Sequence, residues 1–213
     1  MLVDKGLVLV NGVVVSEQGR QIDPAVDVVT LAPEADKVLG NKASVIINKP
    51  RGISSSRIPS EGENIYDMFP QFATLNVVGR LDKMSEGLLL ISNDGVVAKA
   101  VTGEEHKTEK EYRVTVREDV NKGRLKKLEE GVELEDGMTL PVQTFFEDEH
   151  TFRIVMREGR KHQIRRMCEY LKLTVTSLTR LRIGSIELGN LPEGHFRVLT
   201  PQEVTSLKNP IEK

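Results

Sequence analysis

The alternation of apolar runs and polar turns predicts that the first third of the chain consists largely of short strands. Two apolar runs, residues 7–10 and 13–15, flank Asn11-Gly12, a pair that readily adopts the positive φ angles of a tight hairpin turn. Three further apolar runs end at polar residues or proline, as buried strands do, at residues 26–31, 45–48 and 75–78.

The rest of the chain mixes strands with amphipathic helices. Residues 110–117 alternate between polar and apolar side chains, which places Tyr112, Val114 and Val116 on the inner face of a half-buried strand. A helix is predicted from residue 160 onward, with an inward stripe at Ile164, Met167, Cys168 and Leu171. Further strands are predicted at residues 144–146, 151–156, 173–178, 180–188 and 196–199, and further helices at residues 64–69, 95–102, 121–131 and from Thr200.

A polar connector joins the apolar runs at residues 75–78 and 88–91. It carries Arg80, Asp82 and Lys83, followed by Ser85 and Glu86. Burial of the two flanking runs would hold this connector on a rigid base, the usual way of presenting a catalytic loop. An aspartate between two cations is favoured in its ionised form, so Asp82 suits a nucleophile or base better than a proton donor. The alternative is a structural ion pair between Asp82 and Arg80.

Composition narrows the class of protein. The 213 residues are 38% hydrophobic and 29% charged, which predicts one main core with at most a small appended module. A single cysteine excludes an intramolecular disulfide, and the four histidines lack metal-ligand spacing, so no bound metal is expected. Neither a leader nor an apolar run of membrane-spanning length is seen, which predicts a cytoplasmic protein. A monomer is the default expectation.

The charges are unevenly distributed although the net charge is only -2. Acidic residues collect at 129–136 and 147–149, and arginine and lysine collect at 157–166 and 180–182. Cations at the start of a helix oppose its dipole, so the basic stretch predicts an anionic partner such as RNA. The alternative is a solvated basic face on which Arg165 pairs with Glu169.

Two further features of the sequence have both a functional and a structural interpretation. Tyr112 can either stack on a nucleobase or simply fill the core. Residues 51–62, rich in serine, are predicted to form a mobile polar loop that either contacts RNA or only connects two elements.

Five segments, in this order, closely resemble the pseudouridine synthases of the RsuA/RluB/RluE/RluF group. The resemblance covers residues 43–205. The segments are Asn48-Lys49-Pro50-Arg51-Gly52, the stretch from Gly79-Arg80-Leu81-Asp82 to Asn93-Asp94-Gly95, Lys110-Glu111-Tyr112, residues 158–167, and Arg180 to Gly184 with its following turns.

The resemblance implies an α+β fold, a mixed and largely antiparallel sheet with flanking helices. Members of this group usually begin with a small RNA-binding domain of the ribosomal-protein S-four kind, and residues 7–31 resemble its hairpin end. The helices that open such a domain are missing, so either the sequence is shortened or the protein has lost them. The expected organisation is residues 1–36 as S-four-like segment and linker, 37–207 as catalytic domain and 208–213 as tail.

The resemblance also implies isomerisation of uridine to pseudouridine in RNA, most plausibly ribosomal RNA, without a cofactor. The family's catalytic aspartate maps to Asp82, its active-site tyrosine to Tyr112 and its active-site basic residue to Arg165. Asp82 either attacks the anomeric carbon or removes a neighbouring ribose proton. Contacts with the RNA are predicted for a set of basic and polar side chains: Lys49, Arg80, Lys83, Arg160, Lys161, His162, Gln163, Arg166, Arg180 and Arg182.

Two other functions are compatible with the residues. A base-releasing RNA N-glycosidase would need a second carboxylate, which Glu86 or Asp94 could supply. A non-catalytic RNA-binding or ribosome-assembly protein would keep the basic surface and leave Asp82 dispensable.

Overall fold

The computed structural model describes residues 3–17, 19–23, 26–32, 42–103 and 108–209. The chain divides into two units, Met1–Lys42 and Ala43–Lys213. The linker predicted at residues 33–41 lies outside the described residues, as do residues 210–213 of the predicted tail. No helix in the described ranges is both long and apolar enough to cross a bilayer.

The first unit contains a three-stranded antiparallel sheet in the order β2-β1-β3. Its strands are β1 (Val8–Val10), β2 (Val13–Val15) and β3 (Val29–Leu31), preceded by a 3₁₀ turn at Val3–Lys5. The hairpin predicted at Asn11-Gly12 is confirmed, with φ angles of 52° and 79° at the two turn residues. The Asn11 side chain also accepts a 2.9 Å hydrogen bond from the Val28 amide, which ties the turn to the approach of β3. Identification of this unit with an S-four-like module stays a prediction.

The second unit interleaves strands and helices, as the sequence pattern predicts. The elements in chain order are β4 (Ser44–Lys49), α1 (Ile65–Met68), β5 (Asn76–Val78), β6 (Glu86–Ser92), α2 (Gly95–Thr102), β7 (Lys110–Val116), α3 (Lys122–Glu129), β8 (Glu133–Leu134), β9 (Gly137–Met138), β10 (Gln143–Phe146), β11 (Thr151–Met156), α4 (Gln163–Tyr170), β12 (Val175–Ile183), β13 (Ile186–Glu187), β14 (Phe196–Val198) and α5 (Pro201–Lys208).

Three details of the second unit differ from the sequence prediction. The helix expected from residue 160 begins at Gln163. The two strands expected around residues 173–188 form one longer strand, β12, with register shifts near Ser177 and Arg180, followed by the short β13. The hairpin of β8 and β9 was missed because its two-residue strands are too short for an alternating pattern.

Nine strands of the second unit form one sheet along the path β10-β11-β7-β12-β6-β4-β14, with β13 paired to β12 and β5 paired to β6. β8 and β9 form a separate two-stranded sheet. The pairings are antiparallel except that of β6 with β12, which is parallel. The expected α+β fold with a mixed, largely antiparallel sheet is therefore confirmed.

Two strands share one edge of β6. β12 pairs with Glu86 and Gly87 at the start of β6, and β5 pairs with Leu90, Ile91 and Ser92 at its end. The connector between β5 and β6 therefore lies where the pairing partner along this edge of β6 changes from β12 to β5. One end of the connector is fixed by the β5–β6 pairing and the other by the β6–β12 pairing.

The central strand β6 is buried on both faces, which explains its continuous apolar run. Leu89 and Ile91 face one core cluster, which includes the inward stripe predicted for α4. Leu88 and Leu90 face a second cluster that contains side chains of α2 and α5. Full burial of each such side chain stabilises the fold by roughly 1.5–3 kcal/mol, so the base of the connector is rigid.

Gly87 is required by the close approach of β6 and β12. Its φ angle is +94°, and a Cβ atom placed there would lie 2.5 Å from the Arg180 carbonyl oxygen. A side chain at this position would push β6 and β12 apart.

Replacement of Gly87 by alanine is expected to lower the free energy of unfolding by at least about 3 kcal/mol, because backbone strain and a clash act together. Gly137→Ala is the matched control, since Gly137 has φ +99° and no atom lies within 4 Å of the place that a Cβ atom would take. The control is expected to lose only about 1–2 kcal/mol. Urea denaturation measures both, and equal losses would contradict the importance of the close approach.

Candidate active site

Asp82 lies on the connector of residues 79–85, between the buried side chains of Leu81 and Ser85. The Ser85 amide donates a 2.9 Å hydrogen bond to the Asp82 carbonyl, which closes a tight turn. The Asp82 carboxylate remains 39% exposed. The backbone of the connector is therefore fixed while the functional group of Asp82 stays accessible.

Lys49 lies fully buried beneath this connector, at the end of β4. Its Nζ atom donates 2.7 Å hydrogen bonds to the carbonyls of Pro50 and Ile53. Burial lowers the pKa of Lys49 to about 8, and attraction to Glu86 and Asp82 opposes this shift. These hydrogen bonds hold the turn that follows β4. The RNA contact predicted for Lys49 stays a prediction, and the side chain has no exposed surface in this structure.

The serine-rich loop at residues 51–62, predicted to be a mobile polar loop, makes several hydrogen bonds to the connector. Ser55 is buried and donates a 2.6 Å hydrogen bond from its hydroxyl to the Leu81 carbonyl. Lys83 Nζ donates to the Glu61 carbonyl at 2.9 Å, and the Gly52 amide donates to the Lys83 carbonyl at 2.8 Å. The loop therefore braces the connector that carries Asp82.

Tyr112 and Arg180 form the floor on the other side of the connector. The β7–β12 register makes them cross-strand partners, and the Arg180 guanidinium carbon lies 6.0 Å from the centre of the Tyr112 ring. Arg180 is 1% exposed and donates to the carbonyls of Leu88 at 2.7 Å and Gly79 at 2.8 Å. Arg180 thus links β12, β6 and the start of the connector, and its predicted contact with RNA stays a prediction.

Arg165 projects from α4 towards the same connector. Its Nη2 atom donates to the Met84 carbonyl at 3.0 Å, and Nη1 donates to the Val175 carbonyl at 3.4 Å. These bonds replace the pairing with Glu169 that was the structural alternative. Arg165 therefore lies beside the Asp82 loop, as the family resemblance implies, but its hydrogen bonds hold backbone rather than carboxylate.

His162 is the residue that contacts the Asp82 carboxylate. Its Nε2 atom lies 3.5 Å from Asp82 Oδ1, and it occupies the position before α4 with a left-handed φ of 53°. Arg80, the alternative partner of Asp82, is exposed and makes no hydrogen bond or ion pair with the residues that the structure describes.

Most of the other predicted RNA contacts are engaged within the protein. Arg166 pairs with Asp136 at 2.8 Å, and Arg160 donates to the carbonyls of Gly137 and Met138 as well as pairing with Asp136. The side chain of Gln163 is buried against Glu158, and Arg182 pairs with Glu111 and Glu109. Acidic residues of the chain itself are therefore partners of this basic stretch, and contact of these side chains with RNA stays a prediction.

Glu86 and Asp94, the carboxylates suggested as partners of Asp82 in a glycosidase, make other contacts in the structure. Glu86 accepts hydrogen bonds from the hydroxyls of Ser177 and Thr179. Asp94 caps α2 and pairs with Lys208 at the opposite end of β6 from Asp82, which for a seven-residue strand is roughly 20 Å away. A water-activating carboxylate pair is thus not formed by Asp82 and Asp94.

The site combines the accessible Asp82 carboxylate, the buried ring of Tyr112 on β7, and the cations Arg165 and Arg180, which hold the backbone of the connector. The Asp82 carboxylate can act as a nucleophile or as a base on a substrate placed over the connector. Among the described residues, Arg80 and Lys161 are exposed cations free of hydrogen bonds and ion pairs, and therefore available to phosphate oxygens. The role of His162 beside Asp82 is not visible from the sequence, because 80 residues separate the two.

Comparisons with known proteins point in one direction. The family model described as RNA pseudouridylate synthase matches residues 43–170. The dual-specificity RNA pseudouridine synthase RluF of Salmonella typhi is 34% identical over 204 residues, which are 96% of this chain and 66% of that protein. An uncharacterized RNA pseudouridine synthase of Aquifex aeolicus is 34% identical over 97% of this chain and 85% of its own length. The chain thus spans slightly less than two thirds of the first of these relatives.

A solved structure described as a pseudouridylate synthase has the same fold. It superposes with a TM-score of 0.74 at 29% sequence identity, covering 96% of this chain and 90% of that one.

The buried Lys49 predicts how the stability of this site depends on pH. Its pKa of about 8 in the folded protein is below the ordinary 10.5, so between these values the unfolded chain binds more protons. The wild type is therefore expected to gain stability relative to Lys49→Met as the pH rises from 8 to 10.5, by up to about 1.4 kcal/mol per pH unit.

Urea denaturation of both proteins across this pH range measures the difference. Lys122→Met, which removes an exposed lysine at the start of α3, controls for the loss of one positive charge. A difference between wild type and Lys49→Met that does not change with pH would contradict the prediction.

Proposed function

This chain belongs to the RNA pseudouridylate synthase family, and on that premise we propose that it isomerises a specific uridine in RNA to pseudouridine, with Asp82 as the catalytic residue. The observation that carries the proposal is the accessible Asp82 carboxylate on a connector that hydrogen bonds hold in place, among them the bond from Arg180, the cross-strand partner of Tyr112, to the Gly79 carbonyl. The substrate proposed is ribosomal RNA, which the resemblance to the RsuA/RluB/RluE/RluF group favours.

The proposed reaction rearranges one nucleoside and imports no group. The bond from the ring nitrogen to the ribose breaks, the uracil turns, and ring carbon five bonds to the anomeric carbon while its proton leaves. Asp82 either attacks the anomeric carbon or removes the neighbouring ribose proton. Both routes use a carboxylate anion, and Lys49 and His162 place positive or hydrogen-donating groups on its protein side.

Binding is proposed to begin with extrusion of the target uridine, which costs a few kcal/mol. The exposed Arg80 and Lys161 flank Asp82 and His162 in the chain and would hold the deformed phosphate backbone. The ring of Tyr112 would stack on the extruded base, and its hydroxyl would help to move the proton from ring carbon five. Arg160, Arg166 and Arg182, which pair with acidic side chains of the protein, would help to hold this surface in place.

We further propose that the protein acts as a monomer in the cytoplasm. Light scattering of the purified protein tests the first part. The alternatives, an RNA N-glycosidase and a non-catalytic RNA-binding protein, predict free uracil and an indifferent Asp82 respectively.

Release of tritium from ring carbon five of labelled uridine in ribosomal RNA tests the reaction directly. The wild type is expected to release tritium, and Asp82→Asn is expected to reduce the rate by about 10³-fold or more, because the amide is neither nucleophile nor base. Asp119→Asn is the matched control, since the Asp119 side chain is 84% exposed on a loop after β7. Equal rates for Asp82→Asn and the wild type would overturn the assignment of Asp82.

Tyr112→Phe separates the stacking and proton-transfer roles of Tyr112. The substitution keeps the ring, so the free energy of unfolding should change by less than about 1 kcal/mol. The rate of tritium release should fall by about 10²-fold, a typical contribution of one general acid or base. Tyr170→Phe, which alters an exposed tyrosine of α4, is the control. An unchanged rate in Tyr112→Phe would restrict Tyr112 to stacking.

A further inference from the structure

His162 has a backbone conformation that its side chain makes unfavourable. Its φ is +53°, and among the non-glycine residues that the structure describes only Asn11 and Lys172 share a positive φ. Asparagine and histidine both adopt this region more often than most other residues, and glycine adopts it without strain. The contacts of the His162 side chain show what histidine does at this position.

The side chain of His162 does not serve the helix that it precedes. The caps of α1, α2, α3 and α5 each accept a backbone hydrogen bond with their side chains, but His162 at the start of α4 makes no such bond. Its imidazole is directed instead to Asp82, with Nε2 3.5 Å from Oδ1.

The chain on both sides of His162 is anchored. The Arg160 amide donates to the Gln163 side chain at 2.9 Å, Gln163 is held by Glu158, and Arg166 pairs with Asp136. These contacts fix the turn before α4, so the imidazole is presented to Asp82 from a rigid support.

The other cations near Asp82 hold the backbone of the connector and its neighbouring turns rather than the carboxylate. Arg165 donates to the Met84 carbonyl, Lys83 to the Glu61 carbonyl, and Lys49 to the carbonyls after β4. Within the described ranges, His162 is therefore the side chain that directly contacts the Asp82 carboxylate.

We propose that His162 is a positioning residue for Asp82. With Nε2 3.5 Å from Oδ1, the imidazole would restrain the Asp82 carboxylate from the protein side and leave Oδ2 for the ribose of the extruded uridine. The inference rests on the proposed function and deepens it, because it moves His162 from a predicted RNA contact to a partner of the catalytic carboxylate. An error of about 1 Å in the position of a reacting group can reduce a rate by about 10²-fold.

His162→Gly is the decisive variant, because it removes the imidazole and relaxes the left-handed backbone. The kcat for tritium release is expected to fall by about 10²-fold, with KM for the RNA changed by less than about 3-fold, since the lost interaction positions the carboxylate rather than the substrate. Free imidazole added to His162→Gly should restore part of kcat, since the His162 side chain is 50% exposed and its place is open to solvent.

Two further variants separate this role from backbone effects. Lys172→Gly relaxes a second positive φ, of 56°, and is expected to leave kcat unchanged. His162→Asn tolerates the left-handed conformation but is too short to reach Asp82, so it should lose kcat as His162→Gly does.

A rise in KM with unchanged kcat in His162→Gly would overturn the proposal, and the RNA contact predicted from the sequence would then be correct. Absence of imidazole rescue together with a loss of folded structure would also overturn it.

The contact can be tested without activity by NMR. In Asp82→Asn, the ring-proton signals of His162 should shift more than those of His150 and His195. If the wild type releases no tritium the proposed function fails, and the NMR experiment still decides whether His162 and Asp82 interact. Unshifted His162 signals would overturn the proposal in either case.

Discussion

The burial of two cationic side chains, Lys49 and Arg180, is the constraint on which the site depends. A buried charge is costly unless its donors are satisfied, and here backbone carbonyls satisfy them. Arg180 bonds to the carbonyls of Leu88 and Gly79, and Lys49 bonds to those of Pro50 and Ile53. These hydrogen bonds fix the backbone at Gly79, where the connector begins, and at the turn that follows β4.

The change of pairing partner along β6, from β12 to β5, places the buried Arg180 at the connector. β12 can approach the start of β6 closely because Gly87 has no side chain, and this approach brings Arg180 under the connector. β5 occupies the rest of the same edge, so the connector must bridge two pairing partners. The loop that carries Asp82 is therefore held by strand pairing, by a buried arginine and by the serine-rich loop beside it.

Ion pairs within the protein engage several of the arginines that the sequence offered as RNA contacts. The basic stretch at residues 157–166 meets acidic residues such as Asp136, Glu158 and Glu109. Surface pairs of this kind contribute little stability, but they fix side chains in place. Of the described residues, Arg80 and Lys161, next to Asp82 and His162 in the chain, are exposed cations without a side-chain hydrogen bond or ion pair, as are Lys122, Lys126 and Lys127 on α3. On the proposed function, Arg80 and Lys161 would supply phosphate contacts beside Asp82 and His162.

The sequence by itself determined the class of fold, most strands and helices, the helix caps at Asn64 and Thr200, and the connector with Asp82, because these follow from local periodicity and turn chemistry. Only the tertiary structure decided which charges meet. Arg180 lies beside Tyr112 because of the β12–β7 register, Arg166 pairs with Asp136 thirty residues away, and His162 lies 3.5 Å from Asp82 although 80 residues separate them in the chain. Such pairings depend on how distant segments pack and on which side chains packing buries, and the spacing of residues along the chain contains no record of either.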